Sequence, residues 1–154
     1  MSADGLKITL EGGVYHLAGV LNENADLSEL LKATGPLKID LGKVTRFNSI
    51  GIRNMLKFLQ GWGSKPFEYH ACPAEFINQI NMIPSLLGSP RRTGSIASLY
   101  VPYECGSCEF ETDLLTPAHE VSGATESANL EKPCPKCGSR MAVPVDTFFL
   151  FLTV

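Results

Sequence analysis

Two short cysteine pairs constrain the possible structures of this chain more than any other feature of its sequence. The first pair is Cys105 and Cys108, the second is Cys134 and Cys137, and residues 109–133 separate them. Two residues between the members of a pair allow one tight turn to direct both sulfurs at a metal ion, and four thiolates satisfy the tetrahedral preference of zinc. The pattern therefore predicts one structural zinc ion, held by all four cysteines in a small zinc ribbon.

Other uses of these cysteines stay open, namely an iron–sulfur cluster or a redox-active dithiol. A redox-active C-x-x-C pair would open a helix on a thioredoxin-like sheet, and no convincing helical pattern follows either pair. Structural zinc is therefore the favoured interpretation. Gly106 and Gly138 are expected to provide the backbone freedom that the two turns need.

Length and composition are those of a globular protein. The chain has 154 residues, of which 44% are hydrophobic, enough for a core of about 100 residues and a small additional module. We find no secretory signal at the start, and no segment approaches the roughly 20 apolar residues of a membrane span. The expectation is a cytoplasmic protein without a membrane span, in which cysteine pairs serve a metal site rather than disulfides.

Charge is divided unevenly along the chain. Residues 1–100 contain ten Lys/Arg and eight Asp/Glu, whereas residues 101–154 contain three Lys/Arg and eight Asp/Glu. Ribbons that bind nucleic acid need basic or stacking residues to contact phosphates and bases. The acidic balance of the cysteine-containing end therefore predicts that this end does not bind nucleic acid.

The first hundred residues alternate between strand and helix patterns. Strands are predicted at residues 7–11, 14–21, 37–41, 67–72 and 96–101, and helices at residues 49–62 and 73–82, with a short helix ending at residue 33. Gly12-Gly13 suits a hairpin turn between the first two strands. This order of elements predicts an α/β fold with a mixed sheet and crossover helices. Residues 112–132 are polar and are expected to loop out between the cysteine pairs.

The segment from residue 39 to residue 52, together with this order of elements, resembles the STAS domain of bacterial anti-sigma factor antagonists. In that family a strand ends in an Asp, and an Asp-Ser-Ser-Gly or similar motif begins the next helix. Ser49 and Gly51 match the serine and the glycine of the motif, whereas Asn48 and Ile50 stand in place of its Asp and second Ser.

The resemblance covers residues 5–103 and implies a STAS-like mixed β-sheet with packed helices. We therefore expect two domains, a STAS-like domain at residues 1–102 and, at residues 103–154, the zinc ribbon with an apolar tail. The tail segment 143–152 is too apolar to stay free in water. It is expected to pack back on the first domain or to complete a sheet.

The resemblance also implies that a partner kinase phosphorylates Ser49. The partner-binding surface would comprise Arg46, Asn48, Ser49, Arg53 and Lys57. A helix N-terminus favours an anionic phosphate, and the three basic side chains lie close enough in sequence to respond to it. The alternative is that Ser49 or Asn48 serves only as the N-cap of the helix.

On this basis the chain is interpreted as a non-catalytic regulatory module that binds an anti-sigma factor or a related kinase-fold regulator. The alternative is a small-molecule-binding or lipid-binding accessory domain of a transport system. That use would require an unfilled apolar pocket, bordered by Leu17, Ile39, Phe67 and Phe76. Catalysis has little support, because the one conceivable pair, His70 and Cys72 on a predicted strand, is more simply explained by sheet packing.

Overall fold

The computed structural model of the chain describes residues 6–34, 36–63, 65–88, 93–118 and 132–142. These residues form nine strands, two α-helices and two 3-10 turns. The strands are β1 (Leu6–Glu11), β2 (Val14–Leu21), β3 (Leu37–Phe47), β4 (Phe67–His70), β5 (Gly94–Ile96), β6 (Ser98–Cys105), β7 (Glu111–Pro117), β8 (Lys132–Pro133) and β9 (Arg140–Ala142). The helices are α1 (Ser49–Trp62) and α2 (Ala74–Met82), and the 3-10 turns are Ser28–Lys32 and Pro84–Leu87.

The first sheet contains five strands in the order β1-β2-β3-β4-β5. Strands β1 and β2 form the predicted hairpin and are antiparallel, whereas each later strand runs parallel to its neighbour. The prediction of a mixed sheet in an α/β fold is confirmed. The short helix predicted to end at residue 33 is instead the 3-10 turn Ser28–Lys32.

Both α-helices cover the same face of this sheet. The alternating side chains Leu37, Ile39 and Leu41 of β3 are buried in one core with Met55 of α1 and Phe76 of α2. The four residues that an apolar pocket would require, Leu17, Ile39, Phe67 and Phe76, are all at most 3% exposed. They therefore belong to the packed core.

The opposite face of the sheet carries polar side chains that are only partly buried. His16 of β2, Asp40 of β3 and His70 of β4 alternate with the core residues and point away from the helices. This face is therefore the one on which the sheet can meet polar ligands.

The second sheet contains four antiparallel strands in the order β7-β6-β9-β8. The strand β7 replaces part of the loop expected at residues 112–132. Its outward side chains, among them Glu111 and Asp113, are exposed, while Thr116 is buried. The rest of that expected loop, residues 119–131, lies outside the described residues, as does the apolar segment 143–152.

Backbone hydrogen bonds join the two sheets where β5 ends and β6 begins. The N–H of Ala97 donates to the carbonyl of Tyr69 at 2.8 Å, and the N–H of Tyr100 donates to the carbonyl of Cys72 at 2.8 Å. The second sheet thereby extends the core, since Leu99 and Val101 of β6 are fully buried. The division of the chain into domains at residue 102 stays a prediction.

Within the described residues, no helix combines the length and the apolar character needed to cross a membrane.

Candidate functional site

The second sheet brings the four cysteines of the two pairs together. Cys105 ends β6 and Cys108 lies in the turn that follows, while Cys134 and Cys137 belong to the turn between β8 and β9. The four Sγ atoms lie within 4.8 Å of one another. The sulfurs of Cys105 and Cys137 are 3.5 Å apart, and those of Cys108 and Cys134 are 3.6 Å apart.

This spacing matches what a tetrahedral metal site requires. Four sulfurs at about 2.3 Å from one zinc ion are separated from each other by about 3.8 Å. Cys105 and Cys134 are buried, whereas Cys108 and Cys137 are exposed. The four cysteines can therefore hold a metal ion that is anchored in the sheet on one side and reachable from solvent on the other.

The two cysteine turns have the same backbone structure. In the first turn, the N–H of Cys105 donates to the carbonyl of Phe110 at 2.8 Å, and the N–H of Glu109 donates to the carbonyl of Cys105 at 2.9 Å. In the second turn, the N–H of Cys134 donates to the carbonyl of Ser139 at 2.6 Å, and the N–H of Gly138 donates to the carbonyl of Cys134 at 2.9 Å. The two turns therefore present their cysteine pairs in equivalent ways.

Hydrogen bonds within these turns control the acidity of the thiols. The backbone N–H and the hydroxyl of Ser139 donate to the sulfur of Cys137 and, with the thiols of two other cysteines, lower its pKa to about 6. For Cys134, burial raises the pKa, but the N–H groups of Cys137 and Lys136 outweigh burial and lower it.

Cys108 behaves in the opposite way. A backbone N–H of its own turn lowers the pKa of Cys108, but burial and the three other thiols together raise it to about 12. Without a metal ion, the cluster thus favours fewer than four thiolates. A bound cation would displace the remaining protons.

Neither turn opens a helix, which removes the structural basis for a thioredoxin-like dithiol.

The sequence did not predict the role of Ser139, whose N–H and hydroxyl donate to the Cys137 thiolate and stabilise it. A hydroxyl residue placed two positions after the second cysteine is the signal that could have identified it.

A left-handed residue follows the second cysteine of each turn. It is Glu109 in the first turn, with φ 63°, and Gly138 in the second, with φ 79°. Gly138 therefore has the expected role, but the expectation for Gly106 is wrong, because the equivalent freedom is required at Glu109. The first turn accepts backbone strain that the second turn avoids.

Gly138→Ala is expected to destabilise the metal-bound protein by about 1 kcal/mol, because alanine disfavours the left-handed conformation. In the matched variant Glu109→Gly, the relief of strain and the greater flexibility of the unfolded chain oppose each other, so stability should change by less than about 0.5 kcal/mol. Competition with a chromogenic zinc chelator and chemical unfolding measure both effects. If Gly138→Ala and Glu109→Gly lost equal stability, residues 109 and 138 would not share the same left-handed role in their turns.

The fifth cysteine lies apart from the cluster. Cys72 is fully buried, and burial raises its pKa well above the ordinary value. The strand β4 ends at His70, and Ala71 has a left-handed φ of 51°, so Cys72 and His70 do not continue one regular strand as predicted. The Nε2 atom of His70 instead lies 2.8 Å from Oε1 of Glu68.

The start of α1 carries the remaining predicted site residues. Asn48 is the N-cap, because its Oδ1 accepts a hydrogen bond from the N–H of Gly51 at 2.8 Å. Its Nδ2 donates to Oε2 of Glu23 at 3.1 Å. Ser49 is the first residue of the helix and is exposed. The capping role that the sequence left between two residues therefore belongs to Asn48.

The basic residues of the predicted surface are exposed at this end of the molecule. Arg46 lies near the end of β3, and Arg53 and Lys57 lie on α1. Residues four positions apart are neighbours on a helix, so Ser49, Arg53 and Lys57 follow one side of α1. Ile50, which is 45% exposed, adds an apolar side chain next to them.

Gly51 explains how closely α1 approaches the first sheet. A Cβ atom at this position would overlap the backbone carbonyl of Leu21, at the end of β2, and would lie 2.9 Å from the backbone nitrogen of Asn22. The glycine of the motif is thus required by packing, and it fixes where Ser49 is presented.

The chain matches no protein-family model, no curated protein and no solved structure.

Proposed function

We propose that this chain is a cytoplasmic, non-catalytic STAS-like module that binds a protein partner through the start of α1 and is stabilised by one zinc ion. The observation that carries the proposal is the position of Ser49, which is exposed as the first residue of a helix capped by its neighbour. The helix follows the central strand of a mixed sheet, where the resemblance to anti-sigma factor antagonists places the regulatory serine.

The chemistry of this surface supports a phosphorylation switch at Ser49. The first turn of α1 contains no acidic residue, and Arg53 lies one turn further along the helix. A phosphate would carry a charge of about −1.5 to −2 at neutral pH, and the helix N-terminus stabilises such a charge. Because Asn48 supplies the cap, Ser49 is free to be modified without loss of the helix start.

The partner proposed from the resemblance is an anti-sigma factor or a related kinase-fold regulator. A surface with Arg46, Arg53 and Lys57 around Ser49 and Ile50 offers positive charge to an acidic partner and an apolar side chain to its centre. The competing lipid-binding role is disfavoured by the complete burial of the residues that would border an apolar pocket.

Zinc is the proposed metal because four thiolates form a closed tetrahedral shell. A closed shell leaves no open coordination position for a reacting water, which favours a structural role over catalysis. The ion would connect the end of β6 with the turn between β8 and β9. In that position it stabilises the fold and takes no part in partner binding.

Ser49→Asp is expected to melt within a few degrees of the parent protein but to weaken the partner complex by about 1–3 kcal/mol, the scale for a charge introduced into an interface. The partner is first captured from the source organism, and affinities are then measured by calorimetry. Ser49→Ala should leave both stability and affinity nearly unchanged, because the cap is Asn48. Mass spectrometry of the native protein should detect phosphate on Ser49.

A matched control adds the same charge on the other helix. Asn78 is exposed on α2 and does not belong to the proposed surface. Asn78→Asp should therefore not alter the affinity. Equal affinities for the parent and for Ser49→Asp, with no phosphate on the native protein, would overturn the proposal.

A further inference from the structure

A cleft separates the helix-free face of the first sheet from the hairpin of β6 and β7. Its volume is about 490 Å³, within the range of small-molecule sites. Strands β1, β2 and β3 form one wall, and Tyr100 of β6 lies in the other. The cleft is distinct from the cysteine cluster, and it lies on the sheet face opposite the helices.

One imidazole in the cleft lies beside a carboxylate. His16 of β2 lies directly opposite Asp40 of β3 in the strand register, and its Nδ1 is 3.4 Å from Oδ2 of Asp40. The other carboxylate oxygen of Asp40 accepts the N–H of Gly42 at 2.8 Å. The carboxylate is thus anchored by the backbone. In the described part of the chain, Nε2 of His16 has no bonding partner.

Two lysines complete the polar lining. Lys7 of β1 and Lys43 of β3 line the cleft on either side of His16, and neither forms an ion pair with any described residue. The two carboxylates of the lining, Asp40 and Glu11, balance the two lysines in formal charge, but neither forms an ion pair with Lys7 or Lys43. Two ammonium groups that no described carboxylate contacts can both donate to an anionic ligand.

From this arrangement we infer that the cleft binds a small organic anion through a carboxylate or phosphate group. The ammonium groups of Lys7 and Lys43 contact the anionic oxygens, and Nε2 of His16 supplies a further N–H donor. The ring of Tyr100 packs against the remainder of the ligand. This binding is independent of the proposed partner surface, because that surface lies at the start of α1.

Inorganic phosphate and succinate serve as the two probes in nuclear magnetic resonance titrations of the isotope-labelled, metal-loaded full chain. We expect saturable shifts of the Gly42, Lys43 and Tyr100 amides and of the His16 ring, with sodium chloride at matched ionic strength giving none. If only phosphate gives saturable shifts, the ligand bears a phosphate group. If only succinate does, the ligand bears a carboxylate group. If both do, the cleft is a general anion site.

The variants test whether the named side chains cause the binding. The double variant Lys7→Ala/Lys43→Ala should lower the affinity for the responding probe by about tenfold or more. His16→Gln should lower this affinity by a smaller factor. Lys32→Ala, which removes an exposed lysine of the 3-10 turn Ser28–Lys32, should bind like the parent. Melting temperatures confirm that each variant is folded. The inference is overturned if neither probe gives saturable shifts, or if the double variant binds as tightly as Lys32→Ala.

Discussion

Protein produced in zinc-replete medium is expected to contain one zinc ion per chain and to lose the structure of its cysteine turns when that ion is removed. Four Sγ atoms within 4.8 Å of one another cannot all be thiolates without a cation between them. Metal binding in such clusters contributes on the order of 10 kcal/mol to folding. Elemental analysis gives the stoichiometry, and hydrogen exchange before and after chelation locates the loss.

The loss should be local. Exchange protection should disappear in residues 104–110 and 132–142, where the two turns and β9 depend on the metal. Cys105 and Cys134 belong to the same core as β3 and α1, but most of that core comes from the first sheet and its helices, so β3 and α1 should keep their protection.

The fifth cysteine provides a matched control for this prediction. Cys134→Ser removes one ligand and should abolish stoichiometric zinc, whereas Cys72→Ala removes a buried thiol outside the cluster and should keep one zinc per chain. Iron with visible absorbance would instead identify an iron–sulfur cluster. Four freely titrating thiols in the folded parent protein, with no bound metal, would contradict the site.

Gly51→Ala is expected to destabilise the protein by about 3 kcal/mol, at the upper end of overpacking effects. The new Cβ would overlap the carbonyl of Leu21, and both groups belong to backbone that cannot move away easily. The start of α1 would have to shift, and the cap by Asn48, which uses the N–H of Gly51, would be disturbed with it. Urea unfolding followed by circular dichroism measures the change.

The same substitution ten residues later in α1 should have the opposite sign. Nothing lies within 4 Å of a Cβ built at Gly61, so Gly61→Ala adds helix propensity without a clash. It should stabilise the protein by about 0.5–1 kcal/mol. If Gly51→Ala were as stable as Gly61→Ala, the close packing of α1 on the end of β2 would be wrong.

Local patterns in the sequence were sufficient for most of the first sheet and for both α-helices. The Gly12-Gly13 turn and the apolar stripes of α1 and α2 depend on neighbouring residues alone, and the structure contains all three. The strand β3 is longer than predicted because its second half, with Gly42 and Lys43, lacks strand-like alternation and is ordered by pairing with β2. The strand β7 was not predicted, because its exposed acidic residues make the segment read as a polar loop although it pairs with β6.

The cysteine cluster and the cleft also differ in how far the sequence predicts them. The cysteine cluster could be predicted because the spacing within each pair is a local property that a metal requires. The contact between His16 and Asp40 could not, because it depends on the register between two strands that are far apart in sequence. The left-handed conformation of Glu109 could not be predicted either, because a glutamate side chain does not indicate it.

The strand order of the first sheet has a consequence for how the protein is made. Each of its strands after β1 pairs with the strand that precedes it in the chain, so every new strand can add to an existing edge while the ribosome releases about 5–20 residues per second. Cys134 and Cys137 emerge only after all five. The four-cysteine site can therefore close only once the strands of the first sheet have been synthesised.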